Sequence, residues 1–305
     1  MAPSLVSMSA VTPIPMTIPL RARVVGYVAL TKPRIIELLL VTTVPTMFLA
    51  EQGVPSVWLI LSTVLGGALA AGGANAINMF VDRDIDRMME RTKNRPLVTG
   101  IIRARNALRF AIVLEFLAFF WLLMTVNLLS AVLAVSATLF YVFVYTLWLK
   151  RTSTQNIVIG GAAGAVPVLV GWSAVTGSLG WVPVCLFLII FYWTPPHFWA
   201  LAIRYREDYA VASVPMLPSV TSLEATAKSI LRYTGILVVL TLGFWPVAQL
   251  GLIYGTSALV FGTLFVVFAL SVWKEPSERA AMRLFSYSIT YVVLLFSSIT
   301  LDVLV

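Results

Sequence analysis

Cysteine occurs once, as Cys185, so the chain can form neither an internal disulfide nor a cysteine cluster for zinc. Histidine also occurs once, as His197. No Ser–His–Asp set or cysteine nucleophile is apparent, which argues against a covalent enzyme intermediate. The glycines of GGAAGAVP, 160–167, are not followed by GK[ST] and so do not make a P-loop. They suit close helix packing, or room for a bulky ligand. Charge is scarce, at 11% of 305 residues, while 60% are hydrophobic and mean hydropathy is +0.95. A soluble domain does not have this composition, whereas a multi-span helical membrane protein does.

Apolar runs of spanning length lie at about 35–50, 57–80, 107–126, 128–148, 157–176, 181–202, 233–250, 253–273 and 284–303. Asn127 separates the third run from the fourth, and Gly251–Gly255 the seventh from the eighth. The fold class expected is all-α, a polytopic membrane bundle of nine transmembrane helices. Residues 1–20 carry no charged side chain and lack the features of a signal peptide. They predict a flexible tail, 1–24, ahead of one transmembrane domain, 25–305.

The net charge of +8 could suggest nucleic acid, but its distribution excludes that partner. With nine spans, all 21 Lys and Arg residues fall on one side, in the N-terminal segment and loops 81–106, 149–156, 203–232 and 274–283, or at their edges. The opposite loops, near 51–56, 127, 177–180 and 251–254, contain none. The positive-inside rule places the N-terminus in the cytoplasm and the C-terminus, with Asp302, outside. Glu37 and Glu115 lie within spans, where carboxylates usually face the bundle interior as paired structural groups.

The stretch NAINMFVDRDIDRMMERTKNRP, 75–96, leaves an apolar helix and ends in a charged loop. Asn78, Asp82 and Asp86 are spaced i, i+4, i+8, so each drifts only about 40° around the axis and all share one face. Asp84 is turned about 200° from Asp82 and faces away. Two carboxylates and an amide suit a hard cation such as Mg²⁺, which takes oxygen ligands and keeps substrate phosphates in its shell. Arg91, Lys93 and Arg95 follow, and cations beside a metal suggest a diphosphate. The bland alternative is a solvated loop of alternating charges. The carboxylates are expected to face solvent at the helix end.

A second constellation is YWTPPHFWALAIRYREDY, 192–209. Pro195–Pro196 should break or kink the helix beside His197. Arg204 and Asp208 share a face at the cytoplasmic end, where Asp208 is either another metal ligand or the salt-bridge partner of Arg204. His197 by spacing alone reads as a hydrogen-bonded helix residue. A third constellation is Lys150–Arg151, which can bind phosphate or simply anchor a helix mouth. The abundant aromatics are mostly belt or core residues, and a subset could line a cavity for an isoprenoid tail.

Together these segments resemble the UbiA-type intramembrane prenyltransferases. The NxxxDxxxD face at Asn78, Asp82 and Asp86 with RTxxRP at 91–96 looks like the family's first signature. LTKPR at 30–34, YTLWLKRTSTQN at 145–156, WTPPHFWALAIRYREDY at 193–209 and VPMLP at 214–218 resemble its haem-modifying branch. The resemblance spans roughly 25–300. It implies a bacterial plasma-membrane bundle around a central cavity open to the cytoplasm. It also implies Mg²⁺-dependent transfer of farnesyl from farnesyl diphosphate to a vinyl group of haem b, with water completing the product. A haem A synthase is the implied downstream partner. By the same resemblance Asn78, Asp82, Asp86 and Asp208 hold the metal and diphosphate. Lys93, Arg95, Lys150, Arg151 and Arg204 contact substrate, and His197 contacts haem or its iron. Many quinone-pathway relatives carry a second DxxxD pair, whereas Arg204 and Ala212 flank Asp208 here.

Two other functions fit parts of the pattern. One is prenyl transfer to a quinone precursor. The other is transport, which intramembrane acids and small-residue packing also mark. The charged constellations gather at one membrane face rather than the midplane, and no internal repeat is clear, which favours capture of a diphosphate.

Overall fold

The structure, a computed structural model, describes residues 18–305, apart from the side chains of Ile35, Leu38, Leu39 and Leu40. Among the described residues there are helices and no strands. The first helix, α1 (Leu20–Thr31), begins inside the predicted tail, while residues 1–17 of that tail lie outside the described residues. It packs through Gly26 and Leu30, and a Cβ at Gly26 would already touch Ile101 and Ile102 at 3.1 Å. Lys32 then turns the chain in a left-handed conformation, φ 51°, into α2 (Pro33–Glu51). Proline in that first turn gives up no helical hydrogen bond.

The bundle continues with α3 (Val57–Val81), a short α4 (Arg83–Met88) and α5 (Ala104–Thr125). Next comes a continuous helix made of α6 (Leu128–Leu139), a π-helix (Phe140–Leu149) and α7 (Lys150–Thr152). Then follow α8 (Asn156–Thr176), α9 (Trp181–Arg204), two short cytoplasmic-end helices α10 (Arg206–Val211) and α11 (Leu217–Val220), α12 (Leu223–Val247), α13 (Leu252–Lys274) and α14 (Glu278–Leu304). Among the described residues, eight helices are long and apolar enough to cross a membrane. The one predicted span not among these eight, 35–50, is α2, whose 19 residues carry Arg34, Glu37 and Glu51.

Capping explains the breaks. The Asn127 side chain accepts from Ser130 N at 2.8 Å, so α6 starts where α5 stops. Asp302 near the C-terminus accepts from the backbone N–H of Gly251 and of Tyr254, capping α13 across the bundle. Helix ends differ from the apolar runs where capping residues lie outside the membrane. Ser222 caps α12 well before the run at 233–250 begins, and Ser277 caps α14 ahead of 284. The run marks where lipid is, whereas the cap marks where the helix starts.

The helices close on themselves: α3 packs on α5, α8 on α9, α12 on α9 and α13, and α14 returns to α2 and α9. Outward side chains such as Phe116, Phe120, Phe143 and Val239 are exposed, as lipid-facing residues should be. Small and polar residues let inward faces meet. Gly160 and Gly161 of the small-residue run serve packing. A Cβ at Gly160 would come within 2.3 Å of Tyr145 Cδ2, and one at Gly161 within 2.9 Å of Thr194 Cγ2. Gly160→Ala is therefore expected to push Tyr145 and its neighbour Thr146 outward, costing about 1–3 kcal/mol. Activity should fall with it, and a melt in detergent beside a turnover assay checks both.

Pro195 and Pro196 do not interrupt α9, which runs through them to Arg204. Both are buried among neighbouring helices, and such surroundings tolerate proline in a membrane helix. Glu115 lies between α3, α5 and α6, where Thr138 Oγ1 donates to its Oε1 at 3.2 Å and Gly73 leaves it room.

Candidate functional site

The site forms where α3 runs into α4. Asp82 N donates to Asn78 O and Asp86 N to Asp82 O, both at 2.9 Å, so two i→i−4 bonds join the helices across the break at Asp82. The Asn78–Asp82–Asp86 face predicted from spacing survives for that reason. Asp84 points away and is half-exposed, as the same spacing predicts. The three aligned side chains do not face solvent. Asn78, Asp82 and Asp86 are 3%, 0% and 2% exposed. Loops and neighbouring helices fold over this helix end, which the position of the residues along the chain could not reveal.

Burial of two carboxylates requires counter-charge. Arg95 Nη1 donates to both oxygens of Asp86, at 2.8 and 2.6 Å. The loop aims this arginine: Thr92 Oγ1 donates to Asp86 O at 3.0 Å, and Arg95 N to Thr92 O. Lys150 pairs with Asp82 Oδ2, which also accepts from Asn78 Nδ2 at 2.7 Å. Arg151 grips Asp84 with two bonds of 2.7 Å and lies 3.8 Å from Asp82 Oδ1. The bonds from Arg151 hold the Asp84 carboxyl down to about 2.

Lys150 reaches this face because of the π-helix. Nine residues on an α-helix turn through about 900°, which would set Lys150 opposite Tyr141. A π-helix takes in more residues per turn, so positions spaced by four, five and nine line up. Tyr141 and Tyr145 stack at 5.2 Å, and Thr146 Oγ1 accepts from Asn78 Nδ2 at 3.2 Å.

Two members escaped the sequence reading. Lys32 Nζ donates to Asn78 Oδ1 at 2.9 Å and is half-buried beside Asp82, Asp86, Arg95 and Lys150. Burial, and then the neighbouring Arg95 and Lys150, push its ammonium down to about 7. It stands in LTKPR, and its only local signal is a lysine immediately before the proline that opens α2. Thr146 had no signal, since its orientation depends on the π-helix.

Other expected site residues lie apart from this cluster. Lys93 pairs with Glu90 at the surface. Arg204 lies over Tyr205 and pairs with Glu278 at 3.4 Å. Asp208 accepts from the backbone N–H groups of Glu90 and Arg91, at 3.3 and 3.1 Å, and so ties the RTxxRP loop to α10. Tyr209 OH accepts from Arg91 at 3.2 Å, and beneath them Ile85, Met89, Tyr209, Val214 and Met216 form a small core. The VPMLP segment supplies part of that core. His197 is held between Trp193 and Phe285, with ring centroids 4.3 and 4.6 Å away, and its Nδ1 meets Ser288 Oγ at 2.7 Å.

A divalent metal fits the cluster. Asp82 Oδ1 is buried and accepts no hydrogen bond, with Arg151 no nearer than 3.8 Å, so its lone pairs suit a cation's coordination shell. Among the described residues no three His, Cys, Asp or Glu side chains converge as a metal site. A metal here would draw on Asn78, the two carboxylates and oxygens brought by a ligand.

The sequence model of the UbiA prenyltransferase family matches residues 39–298. The chain belongs to that family. As a UbiA prenyltransferase it has curated relatives of similar length. It is 55% identical to the protoheme IX farnesyltransferase of Parafrankia sp. over 282 residues, covering 92% of this chain and 90% of that one. It is 51% identical to the protein of the same name from Streptomyces avermitilis, over 93% of this chain and 95% of that one. The UbiA fold is shared with a homologue from Aeropyrum pernix, at TM-score 0.72 and 19% identity over 89% of this chain and 98% of that one. It is shared too with an Archaeoglobus fulgidus homologue solved with GPP and Mg²⁺, at TM-score 0.61 and 18% identity over 90% and 99% of the two chains.

Proposed function

We propose that this protein transfers a farnesyl group from farnesyl diphosphate to a vinyl group of haem b, adding water to give haem O and diphosphate. The observation that carries the reaction class is the buried Asn78–Asp82–Asp86 face ringed by Lys32, Arg95, Lys150 and Arg151. The haem substrate is supported by identity of 50–55% to relatives named protoheme IX farnesyltransferase. A haem A synthase is the expected consumer of the product.

Asn78, Asp82 and Asp86 would hold Mg²⁺, whose Lewis acidity lowers the charge on the leaving diphosphate. Lys32, Lys150 and Arg95 would take the remaining phosphate oxygens, exchanging carboxylate partners for phosphate ones. The C1–O bond of the farnesyl diphosphate breaks, with its electron pair leaving on the diphosphate. The vinyl π pair then bonds C1, and water adds to the resulting cation with loss of a proton. Aromatic rings near the cluster, such as Tyr141 beside Asp82, would stabilise the positive charge at C1. The apolar bundle keeps water away until the carbon–carbon bond has formed.

Lys32→Met is expected to raise the KM for farnesyl diphosphate about tenfold and to leave the KM for haem unchanged, as steady-state kinetics with each substrate varied can check. Asp208 acts in this account through the loop it ties. Asp208→Asn keeps an acceptor for one amide, and its activity should stay within about tenfold of the parent. A loss as deep as that of Asp82→Asn would make Asp208 a metal ligand.

His197 would meet the haem iron through Nε2. Ser288 Oγ donates to Phe285 O at 2.6 Å, so its one proton is committed and the oxygen accepts from His197 Nδ1–H. Nε2 then carries the lone pair, the tautomer that binds a metal. His197→Ala should weaken haem binding, read as a change in the Soret band, and spare farnesyl diphosphate binding. Unchanged haem binding and conversion would leave His197 as an interhelical hydrogen-bonder alone.

The protein spans a membrane many times. The one-sided Lys and Arg distribution supports a bacterial plasma membrane with the N-terminus and the site facing the cytoplasm. Reporter fusions after Val305 should be active only outside. Activity only in the cytoplasm would mean an even number of spans.

A further inference from the structure

We infer a binding site for an anionic phospholipid of the cytoplasmic leaflet, in the groove between α12 and α13. The groove has a volume of about 740 Å³ and lies away from the metal–diphosphate cluster. Its floor is one stripe of α12, formed by Lys228, Arg232, Gly235, Ile236 and Val239, and Trp273 of α13 forms a wall. The spacing i, i+4, i+7, i+8, i+11 keeps all five on one face. The opposite face of α12, with Ala227, Ile230, Thr234, Leu237 and Thr241, is the one that packs into the bundle.

Two features identify the occupant. Lys228 and Arg232 make no ion pair or hydrogen bond among the described residues, and Glu224, one turn before Lys228, is not paired with it. They sit at the end of the groove on the side that holds every Lys and Arg of the chain. Below them the lining is apolar down to Leu240. From Lys228 to Leu240 is 12 residues, about 18 Å of helix, close to the depth of one leaflet of a hydrocarbon core roughly 30 Å thick. A phosphate headgroup at two free cations with an acyl chain beneath matches this length and polarity. A zwitterionic lipid fills the apolar part equally well but offers the cations no net charge.

Gly235 is the point of access for a test. A Cβ there would meet nothing within 4 Å, so the groove is open above it and a larger side chain enters empty space. Gly235→Leu should occupy the acyl-chain path without disturbing packing.

The experiment is native mass spectrometry of the full chain, released from vesicles of phosphatidylglycerol, phosphatidylcholine or an equal mixture of the two. The wild-type protein should retain phosphatidylglycerol over phosphatidylcholine. Lys228→Gln with Arg232→Gln should reduce phosphatidylglycerol retention roughly tenfold, as two surface cations contribute. Gly235→Leu should reduce retention of both lipids. Melting temperature and prenyl transfer, which do not draw on these residues, report that each variant is folded. Equal retention of the two lipids by the wild-type protein, or unchanged phosphatidylglycerol retention in the double variant, would overturn the assignment. So would a Gly235→Leu protein that keeps its lipid but changes oligomeric state, because the groove would then be a contact between copies.

Discussion

Asp82→Asn is expected to lower prenyl transfer roughly a thousandfold, the scale on which removing a preorganised electrostatic group acts. The amide is nearly isosteric, so the fold of the junction between α3 and α4 is retained. It removes the charge that a metal needs and turns Oδ1, which accepts no hydrogen bond, from a carboxylate oxygen into part of a neutral group. It also leaves Lys150 facing a neutral partner in a buried place, which costs on the order of 3 kcal/mol. Activity must therefore be expressed per folded protein, with the folded fraction taken from a detergent melt. Activity per folded protein within a few-fold of the parent would remove the cluster from the chemistry.

Arg95→Met should destabilise the protein by about 3 kcal/mol and abolish transfer, since Asp86 is buried and both its oxygens depend on Arg95 Nη1. The double variant Asp86→Leu with Arg95→Met separates the two consequences. Replacing both partners of a buried pair by apolar groups is close to neutral for stability. The double variant should recover the melting temperature but stay inactive. If instead it remained as unstable as Arg95→Met, the pair would be fixing the fold of the RTxxRP loop rather than cancelling a stranded charge.

These expectations depend on burial, which the sequence did not show. The apolar runs located the spans because lipid demands unbroken hydrophobic length, and charge sidedness ordered them. The alignment of Asn78, Asp82 and Asp86 was legible because helical periodicity is local and i→i−4 bonds join Asp82 to both neighbours across the helix break. What covers that face was not legible. It depends on Lys32 arriving from α1, on the loop that returns Arg95, and on a π-helix that rotates Thr146 and Lys150 inward. Each is a contact between residues far apart in the chain. The partners of Asp208 were not legible for a similar reason. Its spacing from Arg204 suggested a shared face, but α9 ends at Arg204, and Asp208 lies in α10, where it meets the amides of 90 and 91. The two prolines of α9 were read as a break because the local rule has no account of the helices around them.

The most direct test of the proposed function is a transfer assay on the purified full-length protein in lipid nanodiscs. Farnesyl diphosphate and Mg²⁺ are supplied with haem b or with 4-hydroxybenzoate, and the products are resolved by mass. Haem b should gain a farnesyl group and one water, with release of diphosphate, and the reaction should stop when a chelator removes the metal. 4-Hydroxybenzoate should remain unmodified. Prenylated 4-hydroxybenzoate with unchanged haem b would contradict the account.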